Sequence, residues 1–188
     1  MSSRIVIEQI AAEETLRDGA AMADLALVEQ FGSASRRCEA LAWRAIIRRE
    51  LGADVTIGYD EYGAPIVDTP NIYISVSHSR DRVAVLFADS VCAVDIESVE
   101  RDFGRVASRY LSDEEQQIAQ ANGLYAEMWS AKEALYKYYR KGGLDLVKDI
   151  SIKAFNADGG VLYGSILGGE DVEVAVKREG DLVIAVID

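Results

Sequence analysis

Val91-Cys92-Ala93-Val94-Asp95-Ile96-Glu97 is an apolar strand carrying two acids. Side chains alternate along a strand, so Asp95 and Glu97 share one face while Val94 and Ile96 take the other. Buried charge is costly unless it is paired, hydrogen-bonded or bound to metal, and two carboxylates this close repel. The segment follows a turn at Asp89-Ser90 and opens a second run of the element order that precedes it. That placement decides the reading of the fold.

Before it, Ile5 to Ile10 reads as a strand, Ala11 to Gln30 as a helix, and Ser35 to Leu51 as a second helix with Leu41, Ala45 and Ile46 as its buried stripe. Gly52 ends that helix. Val55-Thr56-Ile57 begins a strand, Gly63-Ala64-Pro65 is a turn, and Ile72 to Val76 and Arg82 to Ala88 are strands joined through His78 to Asp81. After it come a short helix at Phe103 to Tyr110, a helix opened by Ser112 with the capping-box spacing to Glu115, and the main helix from Ala126 to Tyr139, stopped by Gly142-Gly143. Strands follow at Ile150 to Phe155, Val161 to Ile166, Val172 to Val176 and Leu182 to Ile187. Helix, strand and hairpin thus recur. The expectation is an α+β chain of two similar α/β subdomains, 1–89 and 90–188, the second carrying the acids. A single α+β domain with a coincidental order is the competing reading.

The 188 residues, 49% hydrophobic and 28% charged, suffice for a full core. No apolar run approaches the roughly 20 residues of a membrane span, and Glu8 comes too early for a secretory signal. Cys38 and Cys92 lack metal-site or disulfide spacing and read as small buried hydrophobes. These features lead us to expect a cytoplasmic protein without membrane attachment. A net charge of −12 repels nucleic acid. A phosphate ligand must then meet a metal or a local basic patch. Two basic clusters are available, at Arg36, Arg37, Arg44, Arg48 and Arg49 and at Lys132, Lys137, Arg140 and Lys141.

Trp129, Glu133 and Lys137 follow one another at i, i+4 and i+8 in a largely apolar helix and share a face. With Asp95 and Glu97 they offer three carboxylates and an ammonium. Mg²⁺ takes such oxygen ligands and commonly joins one or two carboxylates to substrate phosphates. Against this stand plainer readings: a strand end whose acids face water, and a surface Glu133–Lys137 pair worth a few tenths of a kcal/mol. His78, the only histidine, lies between Ser77 and Ser79 at a strand end. A lone histidine is usually structural or exposed, but this position also suits a phosphate donor.

The ordered set Gly63-Ala64-Pro65, Ser77-His78-Ser79, Val94-Asp95-Ile96-Glu97, Arg109-Tyr110-Leu111-Ser112 with Glu115, Trp129 to Leu135 with Lys137, and Gly143-Leu144 resembles the phosphopantetheinyl transferases. The likeness is to their larger, pseudo-dimeric single-chain class, typified by surfactin-synthetase activators. The helix with Arg37, Glu39, Leu41, Ala42 and Arg44 resembles that family's N-terminal basic helix. The resemblance implies two subdomains related by a pseudo-twofold with the active site between them; a monomer is expected because the repeat would already supply the interface that a one-domain relative gains by oligomerising. It implies transfer of 4'-phosphopantetheine from coenzyme A to a serine of an apo acyl or peptidyl carrier protein, releasing adenosine 3',5'-bisphosphate. Asp95, Glu97 and Glu133 match the Mg²⁺ ligands. His78 and Lys137 match residues at the coenzyme A phosphates. Arg37 and Arg44 are candidates for the 3'-phosphate, and Ser77 for holding the nucleotide. Glu133, Lys137 and His78 form the expected catalytic set, with Glu133 receiving the serine proton directly or through water.

The chain departs from the family pattern at Ala64, where lysine is frequent, and at Ala93, where glycine is usual. Its acidity also conflicts with acidic carriers, so recognition should lean on Arg101 to Gly123, with Phe103, Val106, Tyr110 and Leu111 as contacts. A Mg²⁺-dependent hydrolase of a nucleotide pyrophosphate and a non-catalytic carrier-binding module are the alternatives.

Overall fold

The computed structural model describes residues 3–156 and 160–188, and the chain divides into two compact units, Met1–Ser90 and Val91–Asp188. In the first unit, β1 (Arg4–Gln9), β4 (Tyr73–Ser79) and β5 (Arg82–Ala88) form an antiparallel sheet of order β1-β5-β4. A separate hairpin pairs β2 (Ile57–Tyr59) with β3 (Pro65–Val67). The single helix expected over Ala11 to Gln30 is two, α1 (Glu13–Asp18) and α2 (Met22–Val28). Gly19 caps α1, and Ala21 is extended at ψ 146, which interrupts the helical hydrogen bonds.

The next helix, α3 (Ala34–Leu51), ends at Gly52, whose φ of 114° suits glycine. Its burial differs from the expected stripe, because Ala45 is exposed. The helix is packed on two sides. Ala42, Trp43, Ile46 and Ile47 join Val83, Val85 and Phe87 of the sheet, while Ala40 and Leu41 meet Val28 with Leu16 and Leu25.

The second unit holds β6 (Ala93–Ser98), a 3-10 segment at Gly104–Arg109, α4 (Asp113–Asn122), α5 (Tyr125–Tyr139), β7 (Ile150–Asn156), β8 (Val161–Ile166), β9 (Asp171–Glu179) and β10 (Leu182–Ile187). The five strands are antiparallel in the order β6-β10-β9-β8-β7. The capping box at the start of α4 is present, and Gly123 ends the helix in the left-handed region. Met128, Ala131, Ala134 and Leu135 of α5 bury against Ile150, Leu162, Val183 and Ala185 of the sheet.

The two units share one pattern of strand pairing, in sheets of three and five strands. In each, the first strand pairs with the last, and the last forms a hairpin with the strand before it. Both hairpins turn on two residues, Arg80-Asp81 and Gly180-Asp181, with the first at φ 54° and 61°. The Asp81 carbonyl accepts the amide of Ile10, just past β1, and the Asp181 carbonyl accepts that of Val99, just past β6. The two hairpin turns are thus tied to the end of the first strand of their units by the same backbone bond.

The seat of α5 is tight at one point. A Cβ on Gly164 of β8 would stand 2.5 Å from Leu135 Cδ1, 3.0 Å from Ser151 O and 3.2 Å from Ile152 Cδ1. Gly164→Ala should therefore overpack the helix–sheet contact and cost about 1–3 kcal/mol. A denaturant melt checks this, and a midpoint equal to the parent's would show that Leu135 can yield.

Candidate active site

β6 buries Val94 and Ile96 on one face, both without exposed surface. Its other face carries Asp95 and Glu97, and α5 lies across it. Lys137 donates to Asp95 Oδ1 at 2.9 Å and to the Val94 carbonyl at 3.0 Å. At the other end of the stripe, the Trp129 indole donates to Glu97 Oε1 at 3.0 Å. Arg101 donates to the same oxygen at 3.0 Å and stacks over the Phe103 and Trp129 rings. Helix and strand therefore run in opposite senses here, and Glu133 falls between the two contacts. The i, i+4, i+8 spacing on α5 and the period of two on β6 produce this meeting directly.

Glu133 is half-buried. Burial pushes its carboxyl above the ordinary value, the negative charge of Asp95 adds to the rise, and Lys137 opposes it. A carboxyl raised in the folded state favours folding while protonated. That contribution is full below the unfolded pKa near 4.5 and is lost as pH rises through the folded value. Glu133→Gln should therefore raise Tm at pH 7 by about 2–4 °C, the shift that about 1 kcal/mol gives a domain of this length. The gap to the parent should close as pH falls toward 4. Paired thermal melts at the two pH values check the sign, and a gap that widens on acidification contradicts it.

Three carboxylates of this kind have the chemistry of a hard-cation site. Among the described residues, however, no three acidic, thiol or imidazole groups stand together as a ready-made metal cage. Asp95 is engaged by Lys137, and Glu97 by Arg101 and Trp129. The donor set fits Mg²⁺ in charge and type, and gathering around an ion would exchange some of these contacts.

The other expected site residues lie in the first unit. His78 projects from β4, its side chain 51% exposed and its Nε2 3.6 Å from Glu39 Oε2. Ser77 points to the opposite, buried face. Arg37 grips both oxygens of Glu13, at 2.7 and 3.0 Å, and donates to the Phe31 carbonyl. With Arg17, it pulls the Glu13 carboxyl down to about 2. Arg44 is buried at 2%, stacked 3.8 Å from the Trp43 ring centroid, and donates to Tyr59 Oη and the Ala40 carbonyl. A 3'-phosphate at either arginine would have to displace these partners. The basic cluster read from α3 is thus largely matched by acids: Asp24 takes Arg48, and Glu8 takes Arg49.

Two further features emerge only from the structure. Phe103, Tyr110 and Leu111, expected as carrier contacts, are core residues at 2%, 0% and 1% exposure. The 3-10 segment turns them inward and leaves Arg101, Arg105 and Arg109 exposed. Lys132, next to Glu133, has no exposed surface and pairs with Glu115 at 2.7 Å. The capping-box spacing of Glu115 and a lysine within an apolar helix were the available signals for that pair.

Cys92 is buried, which pushes its thiol up to about 12, and both cysteines are free. No helix among the described residues is long and apolar enough to cross a membrane.

No curated protein matches the chain. A family model, that of the 4'-phosphopantetheinyl transferase superfamily, matches residues 91–187. Because that span is more than half of the 188 residues and holds both β6 and α5, the chain belongs to the 4'-phosphopantetheinyl transferase superfamily.

Proposed function

We propose that the chain transfers the 4'-phosphopantetheine arm of coenzyme A to a serine hydroxyl of an apo acyl or peptidyl carrier protein. The new bond joins the serine oxygen to the phosphorus bearing pantetheine. The pyrophosphate bond breaks, and adenosine 3',5'-bisphosphate leaves. The observation that carries this reading is the docking of Trp129, Glu133 and Lys137 of α5 onto Asp95 and Glu97 of β6, inside the span matched by the superfamily.

Asp95, Glu97 and Glu133 would hold Mg²⁺, which when bound neutralises charge on the pyrophosphate. Lys137, already fixed against β6, presents its ammonium to the phosphate charge that remains. Trp129 and Arg101 hold Glu97 in place. Glu133, the carboxyl with the raised affinity for protons, accepts the serine proton directly or through water. Its use as both ligand and base favours the water-mediated route. In the first unit, the exposed imidazole of His78 is assigned to the coenzyme A phosphates. Arg37 and Arg44 would join it only by releasing Glu13 and Tyr59.

The carrier is recognised, on this reading, by Arg101, Arg105 and Arg109, an exposed basic run in a chain of net charge −12. Coenzyme A labelled in its pantetheine part tests the assignment. Label on the carrier, with equimolar adenosine 3',5'-bisphosphate, is the expected result. Label released as free phosphopantetheine would make the chain a hydrolase instead.

A further inference from the structure

Glu115 and Lys132 form a closed polar lock within the core of the second unit. Lys132 Nζ donates to Glu115 Oε2 at 2.7 Å and to the carbonyls of Leu146 and Ile150, both at 2.8 Å. Glu115 Oε2 also accepts the Ser112 amide at 2.8 Å, and Oε1 accepts the Ile152 amide at 2.7 Å. Three donors on the lysine thus meet three acceptors, and both carboxylate oxygens are used. Glu115 is 4% exposed and Lys132 0%. The lock joins the start of α4, the middle of α5, the segment before β7, and β7 itself, the edge strand of the sheet.

A buried ion pair is a weak source of stability, since well-packed apolar residues of similar volume often do as well or better. Its geometric effect is stronger. Successive residues of a helix are about 100° apart. Lys132 therefore points to β7 while its neighbour Glu133 points to β6, and the two directions are rigidly linked. Any turn of α5 that let Lys132 leave Glu115 would swing Glu133 and Lys137 from β6 through the same angle.

We propose that Glu115 and Lys132 are positioning residues for the transfer reaction: their buried contacts fix the rotation of α5 that presents Glu133 and Lys137 to β6. The inference rests on the transferase reading above, and the experiment separates the two. Lys132→Met alone would strand the Glu115 carboxylate and could unfold the unit. The informative protein is Glu115→Gln/Lys132→Met, which keeps an acceptor for one of the two backbone amides and much of the lysine stem. Transfer to an apo-carrier, the Michaelis constant for coenzyme A and the thermal midpoint are measured on full-length proteins. The indole N–H resonances of Trp129 and Trp43 are recorded beside them.

The double variant should remain folded, with kcat at least about tenfold lower and the Michaelis constant for coenzyme A within about twofold of the parent. The Trp129 indole resonance should move, because its bond to Glu97 shifts with α5, while that of Trp43 in the first unit stays. A parental kcat together with an unmoved Trp129 resonance would overturn the proposal. So would a double variant that does not fold, since the pair would then serve the fold rather than the position. If the parent itself transfers nothing, the functional reading has failed. The indole resonance then still decides whether the pair sets the seat of α5.

Discussion

In the Asp95→Ala protein, phosphopantetheine transfer is expected to fall by on the order of 10²–10³-fold or more, the size of losing one preorganised electrostatic contact to a transition state. Asp95 is 5% exposed, shares a face of β6 with Glu97, and lies within electrostatic reach of Glu133. Its removal takes away an oxygen ligand of the proposed Mg²⁺ and releases Lys137 from its ion pair. Repulsion between the two acids of β6 alone would let stability hold level or rise. The 2.9 Å contact from Lys137 to Asp95 reverses that expectation. Lys137 keeps the Val94 carbonyl and is 28% exposed, so the cost should stay at about 1–2 kcal/mol. Asp95 raises the Glu133 pKa, so its loss should move the acid limb of any remaining activity to lower pH. Near-parental transfer at saturating coenzyme A and Mg²⁺ would remove Asp95 from the site.

Lys137→Met is expected to show the second large effect, with the opposite pH signature. Methionine keeps much of the stem, so packing survives while the ammonium is lost. If the contact to phosphate strengthens as the bridging bond breaks, kcat falls more than coenzyme A affinity. We expect a fall in kcat on the order of 10²-fold, with the Michaelis constant changed by no more than about threefold. Lys137 lowers the Glu133 pKa, so here the acid limb should move to higher pH. Single-turnover transfer measured beside coenzyme A binding separates the cases. An unchanged chemical rate would take Lys137 off the list of catalytic residues.

The parts of this site that could be read from the sequence are those set by short-range periodicity. Asp95 and Glu97 share a face because strand residues alternate, and Trp129, Glu133 and Lys137 share one because helix residues three and four apart are neighbours. Both faces proved to meet. The Ser112–Glu115 capping box was legible for the same reason. What the sequence left out depended on distant partners. Arg37 and Arg44 carry charge that Glu13, Asp24 and Tyr59 already engage, and nothing local to α3 announces those contacts. The apolar residues Phe103, Tyr110 and Leu111 looked available for a partner, yet the 3-10 segment buries all three beneath Trp129 and α5. Ala45 fitted a one-sided stripe, but α3 is covered on two sides. The break between α1 and α2 turned on Gly19 and the extended Ala21.

The central claim is transfer to a carrier, and one measurement addresses it most directly. The full chain is incubated with coenzyme A, Mg²⁺ and a panel of apo-carrier proteins from fatty-acid, polyketide and peptide synthesis, and each carrier is read by intact mass. The account predicts that at least one carrier gains the mass of a single phosphopantetheine, and that the gain is lost when its acceptor serine is replaced by alanine. Consumption of coenzyme A with every carrier mass unchanged, or no consumption at all, would contradict it.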